Sequence, residues 1–239
     1  MMLKLPAVAL AETPAIPLCH TEDQGLELPP KLALVGPHHP QRAAVEGFIA
    51  TCFARRYKAR LSHFMPTLLV MGGAARVEAC LGLRRGSPTQ RFFLEQYLDQ
   101  PAEQLLAGLL RRPVARTALV EIGNLVSLGG GRSQMLFVAL TSLLGQIDAE
   151  WAIFTATPEV RKLLSRLKLT QYVLGEADGH RLGASLADWG SYYDGRPQVV
   201  AVQVRKARRA LKSSVLNRLR LINCEPQLRA LLAAEDGAL

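Results

Sequence analysis

The segment from Arg116 to Asp148 constrains the fold more than any other part of the chain. Residues 116–128 are rich in Val, Ile and Leu, as expected for a buried strand. Three consecutive glycines follow at 129–131, and the apolar run beyond them is typical of a long helix. A strand, a tight turn and a helix in this order predict an α/β fold with helices packed on a sheet.

The glycine turn has the features of an anion site. Gly129, Gly130 and Gly131 carry no β-carbon, so a ligand can approach their backbone N–H groups closely. The helix that follows offers unpaired N–H groups and its positive dipole end, and Arg132 adds a full charge beside Ser133. These features predict a phosphate site, although a glycine turn can also serve only to reverse the chain tightly.

Two common phosphate-binding motifs do not match this turn. A P-loop ends in Gly-Lys-Ser or Gly-Lys-Thr, whereas Gly131 is followed by Arg132 and Ser133. A dinucleotide fingerprint places G-x-G-x-x-G after the first strand, whereas this turn lies halfway along the chain. The sequence therefore argues against both nucleotide-binding classes.

Glu121 is a single carboxylate within the otherwise apolar strand that precedes the glycine turn. Burial would raise its pKa and suit it to work as a general base. The alternatives are that Glu121 faces solvent or pairs with an arginine.

Composition indicates one substantial folded domain, since 49% of the 239 residues are hydrophobic. We expect residues 1–30 to be a poorly ordered leader, 31–204 to be the domain and 205–239 to be a basic, amphipathic helical tail. The elements predicted along the domain run β-α-β-β-α-α-β-α-β-α-β-β.

The scattered cysteines predict neither a disulfide framework nor a metal site, because they form no CxxC pair and no Cys/His cluster. We find no convincing secretion signal and no apolar run of about 20 residues, the length of a membrane span. We therefore expect a soluble, cytoplasmic protein without a metal. The four cysteines are Cys19, Cys52, Cys80 and Cys224.

Most of the net charge of +9 lies in the tail, where seven Lys or Arg residues and no acidic residue occur between Arg205 and Cys224. The remainder carries 9 − 7 = +2, which argues against nucleic acid as a partner. A basic amphipathic helix can bind an anionic membrane, bind an acidic carrier protein or cover the folded domain. Its predicted apolar stripe consists of Leu211, Val215, Leu219 and Ile222.

Several separated motifs between residues 40 and 205 resemble the thermostable hemolysin family of bacterial proteins. They are FFLEQYLDQPAEQLL, VEIGNL, WAIFTATPEVRKLL and WGSYYDGRPQVVAV. That family in turn resembles the GNAT acetyltransferase fold and the acyl-homoserine-lactone synthases built on it. The resemblance implies a mixed, strongly twisted central sheet with helices on both faces and a V-shaped splay between strands four and five.

The resemblance also implies where an acyl thioester of coenzyme A or of a phosphopantetheine arm would bind. Backbone amides at Asn124, Leu125 and Val126 would polarise the thioester carbonyl. The pyrophosphate would lie on residues 129–133. Val126 departs from the family pattern, which has Arg or Gln three residues before the first glycine.

The resemblance also implies candidates for proton transfer. Glu121 would be the general base, and Tyr172 is the nearest match to a tyrosine that protonates the leaving thiolate, with Tyr192 and Tyr193 as the next candidates. Arg84 could bind an acceptor carboxylate or remain a solvated arginine. Aromatic side chains that could wall the acceptor pocket, or only form a packed corner, are Trp189, Tyr192 and Tyr193.

Two functional hypotheses follow. The first is an acyltransferase that moves an acyl group from a coenzyme A or carrier-protein thioester to a small amine or hydroxyl acceptor in specialised metabolism, with the basic tail as a possible carrier-protein contact. The second is a membrane-active protein that uses the basic amphipathic tail. The sequence predicts no oligomeric state.

Overall fold

The computed structural model describes residues 31–73 and 76–234, so the predicted leader at 1–30 lies outside the described residues. Within those ranges the strands form one seven-stranded sheet in the order β1-β2-β3-β4-β5-β7-β6. Adjacent strands are antiparallel except β4 and β5, which are parallel. The strands are β1 Lys31–Val35, β2 Thr67–Gly73, β3 Arg76–Arg85, β4 Leu119–Ser127, β5 Trp151–Ala156, β6 Tyr172–Glu176 and β7 Gln198–Gln203.

Helices cover both faces of this sheet. The α-helices are α1 Arg42–Tyr57, α2 Ala102–Leu110, α3 Arg132–Gln146, α4 Pro158–Arg166, α5 Val204–Lys212 and α6 Val215–Ala234. Short 3₁₀ segments span Phe93–Tyr97, Arg116–Ala118, Gly179–Trp189 and Tyr192–Gly195. The predicted α/β class and the order of the strands are therefore confirmed.

The side chains of β5 show how the two faces are built. Ala152 and Phe154 pack in a core with α3, α4, α5 and α6, whereas Trp151 and Ile153 pack on the opposite face against α2 and the 3₁₀ segments. This alternation follows from the two-residue period of a strand. Since both faces are covered, the strand is apolar at nearly every position.

Helix α3 is buried on all sides from Leu136 to Leu144, because it lies between the sheet and helices α5 and α6. The hydroxyl of Thr141 donates to the carbonyl of Phe137 at 2.7 Å, which satisfies a polar group inside the core. The long apolar helix after the glycine turn is thus the central helix of the larger core.

The predicted element order places helix over residues 91–112 with an interruption at Pro101, but residues 91–101 do not form an α-helix. A 3₁₀ turn at Phe93–Tyr97 and an extended link replace it. Two carboxylates take up the backbone N–H groups there: Glu95 accepts from Phe92 and Ala102, and Glu121 accepts from Phe93 and Leu94. One carboxylate within the turn and one distant in sequence thus satisfy the backbone donors of this segment.

The predicted splay between strands four and five is confirmed. β4 and β5 pair only from Leu119 opposite Trp151 to Ile122 opposite Phe154. Beyond this point β4 contains a bulge, since four of its residues from Gly123 to Val126 oppose three of β3. Asn124 within the bulge has a φ of 50°, in the left-handed region.

Candidate active site

A pocket of about 150 Å³ opens where β4 and β5 separate. It is lined by residues of both strands, by α1, and by the 3₁₀ segments on one face, with Phe137 of α3 reaching it from the other face. Predicted site residues that line it are Arg84, Glu121, Asn124, Leu125, Trp189, Tyr192 and Tyr193. The splay therefore brings together seven predicted residues from separate parts of the chain.

Glu121 lies at the base of this pocket with only 1% of its surface exposed. One carboxylate oxygen accepts from the N–H of Leu94 at 2.8 Å, and the other accepts from the N–H of Phe93 at 3.1 Å. A nitrogen of Arg84 lies 3.7 Å from the second oxygen. Burial raises the pKa of Glu121 and outweighs the lowering by these donors. Glu121 therefore does not face solvent, so that alternative is wrong. The alternative pairing with an arginine is present, but the distance from Arg84 is long.

An interlocked group of aromatic rings forms the pocket wall. Trp189 lies 5.3 Å from Tyr192 and 5.7 Å from Tyr193, measured between ring centroids, and Phe93 packs against Trp189 at 5.7 Å. The hydroxyls of Tyr97 and Tyr193 are hydrogen-bonded to each other. Burial raises the pKa of both tyrosines, so both hydroxyls stay protonated at neutral pH. Trp189, Tyr192 and Tyr193 therefore form a packed aromatic corner and line the pocket at the same time.

The β4 bulge is held in place from outside the strand. The side-chain oxygen of Asn124 accepts from the N–H of Met65 at 2.8 Å. Leu125 lines the pocket, whereas Val126 is buried in a separate core beside α1. Two of the three predicted carbonyl-polarising positions thus border the pocket, and Val126 lies behind them.

The three glycines at the start of α3 all have left-handed backbones, with φ values of 84° at Gly129, 61° at Gly130 and 79° at Gly131. A β-carbon at Gly129 or Gly131 would meet no atom within 4 Å. Within the described residues no side chain caps the N-terminus of α3. The turn thus leaves open space beside uncapped N–H groups, which fits a phosphate.

Two side chains at the turn have partners of their own. The Nε of Arg132 donates to Glu78 at 2.8 Å, so part of its charge is compensated. Ser133 exchanges a 2.6 Å hydrogen bond with Ser127, and the hydroxyl of Ser127 also accepts from the N–H of Gly129. These contacts fix the turn to the end of β4.

Tyr172 lies outside the pocket. Its ring packs at 5.3 Å from Trp151, and its hydroxyl accepts from Lys206 at 2.7 Å. Tyr172 is on β6, the edge strand beyond β7, where it pairs with Ala201. The structure therefore separates Tyr172 from Glu121 and the splay.

The sequence predicts no role for Tyr97 or for the acidic residues on either side of it. Glu95 is 2% exposed and binds Arg116 at 2.7 Å, and Arg116 also binds Glu103 at 2.7 Å. Burial favours the neutral form of Glu95, but the bonds from Arg116 and the backbone outweigh it and lower its pKa. This ion network fixes the 3₁₀ turn that carries Phe93 and Tyr97. The signal in the sequence that could have identified this turn is Glu95, a carboxylate within the aromatic motif FFLEQY.

The described residues contain no group of three or more His, Cys, Asp or Glu side chains able to hold a metal ion. In the same residues, no helix has the length and apolar character needed to cross a membrane.

Comparison with solved structures shows the fold. The acyl-homoserine-lactone synthase LasI matches with a TM-score of 0.51 and 14% identity, over 78% of this chain and 95% of LasI. The CoA-dependent acyl-homoserine lactone synthase BjaI, solved with SAM and isopentyl-CoA, matches with a TM-score of 0.50 and 9% identity, over 77% and 88%. At these identities the likeness concerns the GNAT-like fold alone.

No curated protein matches the chain. The family model described as thermostable hemolysin matches residues 35–208, which include the whole sheet from β2 to β7 and every residue that lines the pocket. The chain therefore belongs to the thermostable hemolysin family.

Proposed function

We propose that this protein is a GNAT-like acyltransferase that moves an acyl group from a thioester to a small amine or hydroxyl acceptor. The observation that carries the proposal is the pocket at the β4–β5 splay, with a buried carboxylate at its base and a glycine turn at the end of the same strand. The donor is coenzyme A or the phosphopantetheine arm of a carrier protein. LasI and BjaI are described as acyl-homoserine lactone synthases, which supports a small acylated product and a role in specialised metabolism for this chain.

The donor would lie along the open edge of β4. Its thioester carbonyl would face the backbone of the bulge at Asn124 and Leu125, where preorganised N–H groups stabilise a developing negative charge. Its pyrophosphate would lie on Gly129, Gly130 and Gly131 at the N-terminus of α3, with Arg132 and Ser133 at its side. The open space at Gly129 and Gly131 supports this placement.

The reaction needs one group to accept a proton and one to supply a proton. The acceptor nitrogen or oxygen attacks the thioester carbon, a C–N or C–O bond forms, and the C–S bond breaks. We assign Glu121 as the base, because its carboxylate lines the pocket and burial raises its pKa above the ordinary value of a glutamate. The hydrogen-bonded Tyr97–Tyr193 pair supplies the proton to the leaving thiolate, a role for which Tyr172 lies too far aside.

The acceptor would bind against the aromatic wall. Trp189 and Tyr192 provide an apolar surface, and the guanidinium of Arg84 is the nearest positive charge for an acceptor carboxylate. A pocket of about 150 Å³ that must also hold the thioester favours a small acceptor.

Ligand-induced stabilisation tests the donor site. Acyl-CoAs, free coenzyme A and an acyl-carrier protein are each added while thermal unfolding is followed. A ligand at 100 times its dissociation constant stabilises the fold by about 2.7 kcal/mol, a shift of several degrees for a chain of this size.

A matched pair of variants makes the test specific. Gly129→Asp and Gly129→Asn have side chains of equal size in the same left-handed backbone, and both residue types tolerate it. Only aspartate places a negative charge at the proposed phosphate site, so it should abolish the shift while asparagine retains most of it. Release of free thiol in the presence of candidate amines then measures turnover. Unchanged unfolding with every donor would contradict the proposal.

A further inference from the structure

Helix α6 has two apolar faces, and only one of them is covered. Leu221, Cys224 and Leu228 are buried against α3 and β1, so this face holds the tail to the domain. Val215, Leu216, Leu219 and Ile222 lie on the opposite face, each more than half exposed. The predicted stripe of Leu211, Val215, Leu219 and Ile222 is not one face in the structure: Leu211 is buried on α5, the other three are exposed on α6, and a different stripe of α6 covers the domain.

The exposed face is unusual for the described part of the chain. Large exposed hydrophobic side chains number six in those residues, and four of them fall within these two turns of α6. The other two, Leu109 and Val173, lie singly on α2 and β6. Scattered apolar residues on a surface need no explanation, but a contiguous apolar face marks an interaction site.

Basic side chains border this face. With 3.6 residues per turn, Arg218 and Arg220 project on either side of the apolar stripe. Arg209 and Lys212, in the last turn of α5, precede it directly and are exposed. Among the described residues, none of these four makes a salt bridge within the protein. The apolar stripe and these four basic residues together form what we call the α6 surface.

We propose that the α6 surface docks the protein peripherally on an anionic lipid bilayer. The apolar stripe would enter the boundary between headgroups and acyl chains, and the basic residues would contact anionic headgroups. Such docking requires a helix that can lie parallel to the bilayer surface. The buried face of α6 packs on the domain core, so the helix runs along the outside of the domain with its other face exposed. Docking of this kind requires no membrane-spanning helix.

Charge and side-chain type favour a bilayer over the other possible occupants. A second copy related by twofold symmetry would place the same basic residues against one another. A protein partner commonly binds through aromatic or arginine residues in packed pockets, where leucine and valine are under-represented. The α6 surface has aliphatic side chains on a convex helix, which a fluid lipid interface accepts without a matching shape.

Vesicle flotation with the full chain tests the proposal. Vesicles of phosphatidylcholine alone are compared with vesicles that also contain about 30% phosphatidylserine, at low and high salt. We expect binding only to the anionic vesicles, with a loss at high salt. Leu216→Ser/Leu219→Ser should weaken binding more than about tenfold, and Lys212→Gln should weaken it about fivefold.

Matched controls separate docking from non-specific adsorption. Leu109→Ser removes an exposed apolar side chain from α2, and Lys162→Gln removes an exposed charge from α4; neither should change the binding. Equal binding by all variants, or no binding to anionic vesicles, would overturn the proposal. Competition for the surface by a soluble acidic carrier protein would also overturn it, in favour of that protein.

Dye release from the same vesicles distinguishes docking from perforation. Binding without release supports docking on an intact bilayer, whereas release that depends on Leu216 and Leu219 would overturn docking in favour of membrane damage. Because no thioester is present in these experiments, their outcome is independent of the acyltransferase proposal.

Discussion

Glu95 and Glu121 are two buried carboxylates that bind the backbone of the same 3₁₀ turn, and they differ in their cationic partner. Each accepts two backbone N–H bonds. Glu95 also binds Arg116 at 2.7 Å, and the pKa of Glu95 is lowered. The nearest arginine to Glu121 is Arg84 at 3.7 Å, and burial raises the pKa of Glu121. The difference in cationic partner accounts for the opposite directions of the two pKa shifts, and in the proposed mechanism Glu121 is the carboxylate that exchanges a proton.

The largest expected effect is the loss of stability when Glu95 is replaced. Glu95→Gln leaves Arg116 largely buried with only Glu103 to compensate it, so we expect a loss of about 3 kcal/mol in the free energy of unfolding. Urea unfolding measures this loss. The control Asp99→Asn breaks an exposed pair with Arg181 and should cost less than about 1 kcal/mol. Equal losses in the two variants would show that burial of the pair is immaterial.

The next effect is on catalysis at the second carboxylate. Glu121→Gln removes the proposed base, so we expect turnover to fall about a hundredfold or more. Stability should fall by about 1 kcal/mol, because the new amide nitrogen faces a backbone N–H. Thiol release at saturating donor measures turnover. Glu176→Gln, at an exposed position on β6, serves as the control. A variant that keeps full activity would refute the assignment.

Stability should depend on pH with opposite sign at the two sites. The lowered pKa of Glu95 stabilises the fold above its ordinary pKa, and this contribution is lost as pH falls through the folded-state value. The raised pKa of Glu121 gives a contribution that is present at acid pH and lost as pH rises through its folded-state value.

Urea midpoints between about pH 2 and pH 7 measure both contributions. The wild-type chain should gain stability relative to Glu95→Gln as pH rises towards the ordinary glutamate pKa, and should lose stability relative to Glu121→Gln as pH rises above it. Parallel slopes for the two variants would contradict the distinction between the carboxylates.

The smallest expected effect is at Tyr172. Tyr172→Phe removes only a hydrogen bond from exposed Lys206 and should leave turnover within about twofold, with a stability change below about 1 kcal/mol. Tyr193→Phe, in the pocket, should lower turnover about tenfold or more if its hydroxyl supplies the proton. Thiol release distinguishes them, and the reverse order of effects would return the proton-donor role to Tyr172.

The sequence predicted the features that depend on local pattern. The strand at Glu121, the glycine turn and the buried helix α3 each follow from hydrophobic spacing and glycine content. The splay and the pocket residues required the family resemblance in addition. The roles of the site residues stay predictions.

The sequence did not predict features that depend on distant partners. The N–H groups of Phe93 and Leu94 in the 3₁₀ turn at Phe93–Tyr97 are satisfied by Glu121, which follows Phe93 by 28 positions, and the turn's own Glu95 accepts from Ala102 beyond Pro101. Tyr172 follows β5 along the chain but lies at the sheet edge, because β7 inserts between the two strands. Periodicity also could not tell which of two apolar faces of α6 packs against α3.

The parallel pairing of β4 with β5 has a consequence for the shape of the pocket. Within the described sheet, strands β1 to β4 and strands β5 to β7 each form an antiparallel half-sheet, and only four residues of β4 join the halves along the sheet. Because this seam is short, the width of the pocket depends on the angle at which the two half-sheets meet.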